Sequence, residues 1–259
     1  MTRVYVTWFL KGLDVRSDTV VIVDVLRFST TVSIALQIGF KSIYVFPKLS
    51  DAVNYAKTKK IPLLAEVNGI KPSEAEMDNS PSDIMQKGWE YLSKGIDELV
   101  IRTSAGGVLT SKAAQKKFDK ILIASITNAK SVAEFLLNSK SRIINVICAG
   151  IGLEKSAIED LIGAGALVHE MLRIDMDIEL NSEAIAALKM FQLAENRLQD
   201  FMKLSESGKI VESVGHYSDI EIASTLNISK AIPYAEPLKD FKGAIIRNAV
   251  LKHNTNLDT

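Results

Sequence analysis

A single cysteine, Cys148, stands in the 259 residues. No disulfide can close within the chain, which excludes a small secreted domain stapled by cysteines. Proline and glycine are scarce, at 6 and 14, and no Pro/Gly-rich or low-complexity stretch marks a linker. No internal repeat is visible. Neither sign of charge is in excess: Lys+Arg is 31 and Asp+Glu is 31. A protein that grips nucleic acid through its phosphates carries a basic surplus, so no nucleic-acid partner is expected. Long apolar runs are missing too. The run at 20–23 is cut by Asp24, far short of the roughly 18 residues a spanning helix needs, so no membrane partner is expected. The first residues hold a short apolar stretch interrupted by Lys11 and lack a small-residue cleavage site, which points to a cytoplasmic protein. The three histidines, His169, His216 and His253, show no metal-ligand spacing and read as surface or structural side chains. What is abundant is apolar: 47% of residues are hydrophobic, which excludes a disordered chain and supplies a real core.

Apolar runs rich in β-branched residues lie at 19–25, 42–46, 61–66, 98–103, 120–124 and 142–149. Amphipathic stretches separate them, at 30–39, 51–59, 81–94, 108–117, 129–138 and 156–172. Near-continuous Val/Ile/Leu runs suit strands buried on both faces, and their alternation with helices predicts βαβ units. The expected fold is α/β, a three-layer α/β/α sandwich with a mainly parallel sheet. Beyond 174 the pattern turns helical, at 182–194, 197–205, 209–214 and 219–225, with a last strand at 231–235. The C-terminal third is therefore expected to be mostly helical. Residues 1–259 read as one compact unit, open to division into two α/β lobes, at no visible boundary.

In a parallel sheet, ligands bind beyond the carboxyl ends of the strands. The first run ends in Asp24, with Arg27 and then Ser29, Thr30 and Thr31 at a helix start. A carboxylate closing a buried run needs a partner or a metal, Arg27 brings a fixed cation, and a helix N-terminus favours an anion. Ordinary capping and a structural ion pair account for the same residues. The third run ends in Glu66, able to bind a hard cation or to sit as a surface carboxylate. Asp78-Asn79-Ser80-Pro81 is a turn into a helix, with Ser80 at the N-cap and Pro81 at the first helical position; Asn79 is less well accounted for by capping. Arg102-Thr103-Ser104-Ala105-Gly106-Gly107 resembles an anion nest. Asn128 follows the fifth run at another helix start, where capping suffices. Glu159 and Asp160 open the helix after the sixth run, where the dipole alone favours acids.

Several chemistries fail on these residues. Asp24 lacks the second Asp of an aspartyl-phosphate phosphatase, and the position six residues after Cys148 is Glu154, not the arginine of a cysteine phosphatase. The Walker lysine motif and the G-x-S-x-G elbow are both absent. Carboxylates with hydroxyls, amides and arginines remain, which fits Mg²⁺-assisted chemistry on a phosphorylated anion.

The blocks Asp24-Val25-Leu26-Arg27-Phe28-Ser29-Thr30-Thr31, Glu66 with Asn79-Ser80-Pro81, Cys148-Ala149-Gly150, and Ile158-Glu159-Asp160 with Gly163-Ala164-Gly165 follow in order. The chain thereby resembles the 2-phosphosulfolactate phosphatase family of coenzyme M biosynthesis, from about residue 20 to about residue 233. The resemblance implies a Mg²⁺-dependent acid phosphatase converting (2R)-2-phospho-3-sulfolactate to 3-sulfolactate, and an α/β/α architecture of two lobes with the active site between them. It implies Asp24, Arg27, Glu66 and Asp160 as catalytic, and Asp24, Glu66, Glu159 and Asp160 as metal ligands. Ser29, Thr30, Thr31, Asn79, Ser80, Arg102, Thr103, Ser104 and Asn128 are then expected to contact the small anionic substrate. The segments 74–78, 103–107 and 125–128 depart from the family pattern, which bears on the substrate more than on the metal. Another small phosphorylated acid as substrate, or a non-enzymatic anion-binding protein of the same fold, are the competing expectations; a homodimer is left open.

Overall fold

The computed structural model describes residues 1–249. Its strands are β1 (Arg3–Trp8), β2 (Thr19–Val23), β3 (Ser42–Val45), β4 (Leu63–Ala65), β5 (Glu98–Arg102), β6 (Lys120–Ala124), β7 (Ile143–Cys148), β8 (Glu179–Leu180), β9 (Pro233–Pro237) and β10 (Ala244–Asn248). Its helices are α1 (Phe28–Ile38), α2 (Leu49–Lys59), α3 (Pro81–Ser93), α4 (Gly106–Ala113), α5 (Ala129–Asn138), α6 (Ile158–Ile174), α7 (Ser182–Ala194), α8 (Leu198–Leu204), α9 (Glu206–Ser213) and α10 (Tyr217–Ala223). The strands pair in the order β4-β5-β3-β10-β9-β6-β2-β7-β1-β8.

Helices cover both faces of this sheet, the expected three-layer α/β/α arrangement. The period of two along β2 sets the layers. Val20 and Ile22 face a core with Phe28 and Val32 of α1, Ile84 of α3 and Leu109 of α4. Val21 and Val23 face α5, α6 and α7. At the other end of the sheet, Tyr44, Leu63 and Val100 pack under Ala52 and Ala56 of α2.

The sheet is mainly parallel, but in two blocks of opposite polarity. Strands β4, β5 and β3 run parallel to one another, as do β6, β2, β7, β1 and β8. Strand β10 is antiparallel to β3 and to β9, and β9 is antiparallel to β6, so the β9–β10 hairpin reverses the direction between the blocks. Both blocks contribute to the core around α1, α3 and α4, with Ile43 and Leu99 from one and Val20 and Ile121 from the other. The carboxyl end of β2 meets the start of α4, where Asp24 accepts the Gly106 N–H.

The six apolar runs are β2 to β7, and helices α7 to α10 fill the C-terminal third. The strand expected at 231–235 is β9, starting two residues later. The sequence pattern does not signal strands β1, β8 and β10. In β1, buried Val4 and Val6 alternate with less buried neighbours, a half-buried pattern weaker than an unbroken apolar run. No helix among the described residues is long and apolar enough to cross a membrane.

Candidate active site

The chain leaves β2 through Asp24 and turns into α1 on a set of local hydrogen bonds. The Ser29 N–H donates to the Asp24 carbonyl at 2.8 Å, and the Asp24 N–H donates to Ser29 Oγ at 2.9 Å. Thr30 Oγ1 donates to the Val25 carbonyl at 2.7 Å and pairs with Ser125 Oγ at 2.8 Å. Thr31 Oγ1 donates to the Arg27 carbonyl at 3.0 Å. All three side chains are fully buried; these hydroxyls build the turn that presents Asp24 and Arg27.

Asp24 projects toward the other block of the sheet, where its Oδ2 accepts the Gly106 N–H at 2.7 Å. That N–H belongs to the first turn of α4, whose dipole favours an acid. Gly106 is a close approach: a Cβ there would lie 2.5 Å from Asp24 Oδ2 and 2.5 Å from Phe28 Cδ1. Burial pushes the Asp24 carboxyl from 3.8 up to about 7, opposed by the Gly106 N–H and reinforced by the charges of Glu66 and Glu159.

Glu66, just past β4, accepts the Ser104 N–H on Oε1; its Oε2 accepts the Gly69 N–H at 2.8 Å and Ser104 Oγ at 3.1 Å. Arg102 Nη1 donates to the Glu66 carbonyl at 2.5 Å and to Ser104 Oγ at 3.3 Å. The ends of β4 and β5 thus brace each other. Thr103 Oγ1 accepts the Gly107 N–H at 2.8 Å and ties the loop after β5 to the first turn of α4.

Asp160, at the start of α6, accepts the Val25 N–H on Oδ1 and the Gly150 N–H on Oδ2, both at 2.8 Å. Its carboxylate ties the turn after β2 to the turn after β7. Gly150 has φ +68, and a Cβ there would lie 2.4 Å from the Lys155 carbonyl oxygen; the position requires glycine. Burial, then the charges of Asp24 and Glu159, hold the Asp160 carboxyl well above its ordinary range. Burial also raises Glu159, with the Ser207 hydroxyl opposing. Glu159 Oε2 is buried and has no hydrogen-bond partner.

Arg27 is held by two carboxylates. Its Nη1 and Nη2 grip Asp78 at 3.1 and 3.2 Å, and Nη1 also reaches Asp219 Oδ2 at 3.3 Å. His216 Nε2 lies 3.0 Å from Asp78 Oδ2. Ser80 caps α3 by accepting the Asp83 N–H at 3.1 Å and donates to Asp219 Oδ1 at 2.7 Å. Asn79 follows Asp78, and its Oδ1 is buried with no partner. Asn128 lies elsewhere. Its Oδ1 accepts the Ser125 N–H at 2.8 Å, and its Nδ2 donates to the Ala231 carbonyl at 3.1 Å.

Between these elements lies a cleft of about 250 Å³ lined by Asp24, Leu26, Arg27, Glu66, Asn79 and Ser104, with Asn68, Gly69, Ala105, the loop 150–152 and the Ser207, Ile210 and Val211 face of α9. Small-molecule sites start at roughly 300 Å³, so this cleft suits a small ligand. Of the residues singled out in the sequence, Asp24, Arg27, Glu66, Asn79 and Ser104 line it. Ser29, Thr30, Thr31, Ser80, Arg102, Thr103, Asn128, Glu159 and Asp160 do not; most of them hold the lining residues in place. Sequence reasoning missed the α9 wall and the partners of Arg27. Asp78 was visible in its turn, but no spacing signals that Asp219, 192 residues from Arg27, packs against it.

Oxygen-bearing side chains along the cleft are the carboxylates of Asp24 and Glu66, the amides of Asn68 and Asn79 and the hydroxyls of Ser104 and Ser207; of these, the two carboxylates and the unpartnered Asn79 oxygen suit a hard cation. No three His, Cys, Asp or Glu side chains among the described residues gather closely enough to cage a metal by themselves.

Residues 10–237 match the family described as 2-phosphosulpholactate phosphatase. A protein of Thermotoga maritima named probable 2-phosphosulfolactate phosphatase is 30% identical over 220 residues, spanning 85% of this chain and 89% of its own. One of the same name from Carboxydothermus hydrogenoformans is 31% identical over 225 residues, spanning 85% and 87%. A third, from Thermus thermophilus, is 26% identical over 216 residues, spanning 83% and 87%.

Proposed function

Because the chain belongs to the 2-phosphosulpholactate phosphatase family, we propose that it hydrolyses (2R)-2-phospho-3-sulfolactate to 3-sulfolactate and inorganic phosphate, with Mg²⁺ in the cleft. A cytoplasmic role in coenzyme M biosynthesis is part of the same proposal. The observation that carries it is the cleft itself, small and lined by Asp24, Glu66, Asn79 and a single cation, Arg27.

The donor set fits a hard cation. Mg²⁺ keeps several waters and is usually held by one or two carboxylates plus substrate phosphate, so it needs no protein cage. The raised Asp24 carboxyl and the unpartnered Asn79 oxygen are the features a cation would relieve. Asp24, Glu66 and Asn79 would hold it. When bound, it would neutralise phosphoryl oxygens and lower the pKa of a water for attack at phosphorus. The water oxygen bonds phosphorus as the ester P–O bond breaks, and the leaving sulfolactate alkoxide takes the proton that the water gives up. Arg27 binds a phosphoryl or acid oxygen of the substrate by a charge-assisted hydrogen bond. Asp160 is assigned to holding the Asp24 turn and the 150–152 loop in register.

Two consequences are measurable. Gly106→Ala drives a methyl into the Asp24 carboxylate, and misplacing a reacting group by about 1 Å costs on the order of 10²-fold. Turnover is expected to fall by at least about tenfold with the fold retained; unchanged kinetics would show that the Asp24 position is not critical.

The second concerns pH. The folded pKa of Asp24 is raised from 3.8 to about 7. Its contribution to stability is therefore fully present below pH 4 and is lost as pH rises through 7. Asn at this position is a permanent stand-in for the neutral acid. In chelator-treated protein, wild type is expected to lose stability relative to Asp24→Asn between pH 5 and pH 8, and added Mg²⁺ to restore it at pH 8. Urea melts at the two pH values check this; a difference that does not change with pH contradicts it.

The activity is tested by phosphate release from 2-phosphosulfolactate beside phosphoglycolate, phospholactate and phosphoglycerates. Selective release from an ester without a sulfonate keeps the enzyme class and rejects this substrate. No release from any favours a protein that only binds anions.

A further inference from the structure

We propose that Asp219 and His216, carried in by the C-terminal helices, are positioning residues that aim the Arg27 guanidinium at the substrate anion. The proposal rests on the reading above that Arg27 holds an anionic oxygen.

The geometry is specific. Both N–H groups of Arg27 Nη1 are engaged, one with Asp78 Oδ2 at 3.1 Å and one with Asp219 Oδ2 at 3.3 Å. One N–H of Nη2 goes to Asp78 Oδ1 at 3.2 Å. That leaves Nε–H and the second N–H of Nη2 for the cleft that Arg27 lines. Two carboxylates at fixed places define the plane and rotation of the fork.

Each carboxylate is itself pinned. Asp219 is fully buried, and its Oδ1 accepts Ser80 Oγ at 2.7 Å, the Ser82 N–H at 3.0 Å and Ser82 Oγ at 2.6 Å. The start of α3 therefore fixes the acid that α10 delivers. Asp78 accepts the Asn79 N–H at 2.7 Å on Oδ1 and faces His216 Nε2 at 3.0 Å on Oδ2. His216 also lies 3.4 Å from Ser80 Oγ through Nδ1, and its carbonyl accepts the Asp219 N–H at 3.0 Å. The turn at 216–219 thus clamps Arg27 through Asp219 directly and through Asp78 by way of His216. A purely structural ion pair would not require Arg27 to line the cleft; this arrangement couples the C-terminal segment to substrate grip.

The test is a double-mutant cycle read by calorimetric binding of inorganic phosphate in the presence of Mg²⁺. His216→Ala and Asp219→Asn are each expected to weaken phosphate binding by about tenfold, and by less than about twofold in an Arg27→Lys background, where the aimed fork is already gone. His216→Gln, which keeps a donor toward Asp78, is expected to stay within about threefold of wild type. In turnover, KM should rise by about tenfold with kcat within about threefold, as expected for lost binding made equally in ground and transition states. His216 is only partly buried, so its variants carry the test if Asp219→Asn does not fold. Unchanged phosphate affinity in His216→Ala, an equal loss in the Arg27→Lys background, or no phosphate binding by wild type would each overturn the proposal. The predicted cycle in a wild type that hydrolyses no ester would leave the positioning role standing and reject the proposed activity.

Discussion

Asp24→Asn is expected to abolish most turnover while leaving the protein folded. The substitution is nearly isosteric, and the Asn Oδ1 can still accept the Gly106 N–H that anchors this side chain at 2.7 Å. Replacing a buried carboxyl already pushed up to about 7 with a neutral amide relieves rather than adds strain. What disappears is the negative charge. A metal-assisted site obtains several kcal/mol of transition-state stabilisation from its ion. At about 1.4 kcal/mol per tenfold in rate, losing most of that lowers kcat/KM by roughly 10²–10⁴-fold. Steady-state kinetics over a range of Mg²⁺ concentrations should also show a weaker metal dependence. Turnover within about twofold of wild type at low Mg²⁺ would remove Asp24 from the metal site.

Arg27→Ala is expected to have the largest effect on stability. The change leaves Asp78 and Asp219 facing each other at 3% and 0% exposure. Removing one partner of a buried ion pair costs about 3–5 kcal/mol, because the charge left behind is uncompensated. Neither acid is orphaned completely. Asp219 keeps its bonds to Ser80 and Ser82, and Asp78 keeps Asn79 N–H and His216, so the lower half of that range is the expected result. Arg27→Lys retains the cation but loses the fork that spans both acids, so it should cost clearly less. Chemical denaturation of the three proteins measures this. An Arg27→Ala protein as stable as wild type to within about 0.5 kcal/mol would mean that the cluster is not held by its charge pairing.

These outcomes separate what the sequence carries from what only folding reveals. Strands β2 to β7 were legible because both faces of each are buried, so each reads as a short, mostly apolar run bounded by an amphipathic helix. Strand β1 was not, since its alternation is half-buried and resembles many exposed segments. The reversal of sheet polarity was invisible: it depends on a hairpin, β9 and β10, that inserts at the middle of the sheet after the whole helical third has been laid down. The same holds for the site. Asp24, Arg27, Glu66, Asn79 and Ser104 follow strands or turns within the chain's own local pattern, and all line the cleft. The hydroxyls of Ser29, Thr30 and Thr31 stood beside them in sequence, yet the turn into α1 consumes all three. Local spacing tells that polar groups cluster at a strand end; it does not tell which point inward to hold the backbone. His216 and Asp219 show the reverse case, since their significance arises from a contact across most of the chain.

We propose that this cleft removes phosphate from 2-phosphosulfolactate with a divalent cation held by Asp24, Glu66 and Asn79. The most direct measurement is phosphate release from that ester by chelator-stripped protein, without added metal and after Mg²⁺ is returned. Release should be lost on stripping, restored by Mg²⁺, and not restored in Asp24→Asn. Release that continues undiminished in the stripped protein, or none from this ester after Mg²⁺ is returned, would contradict it.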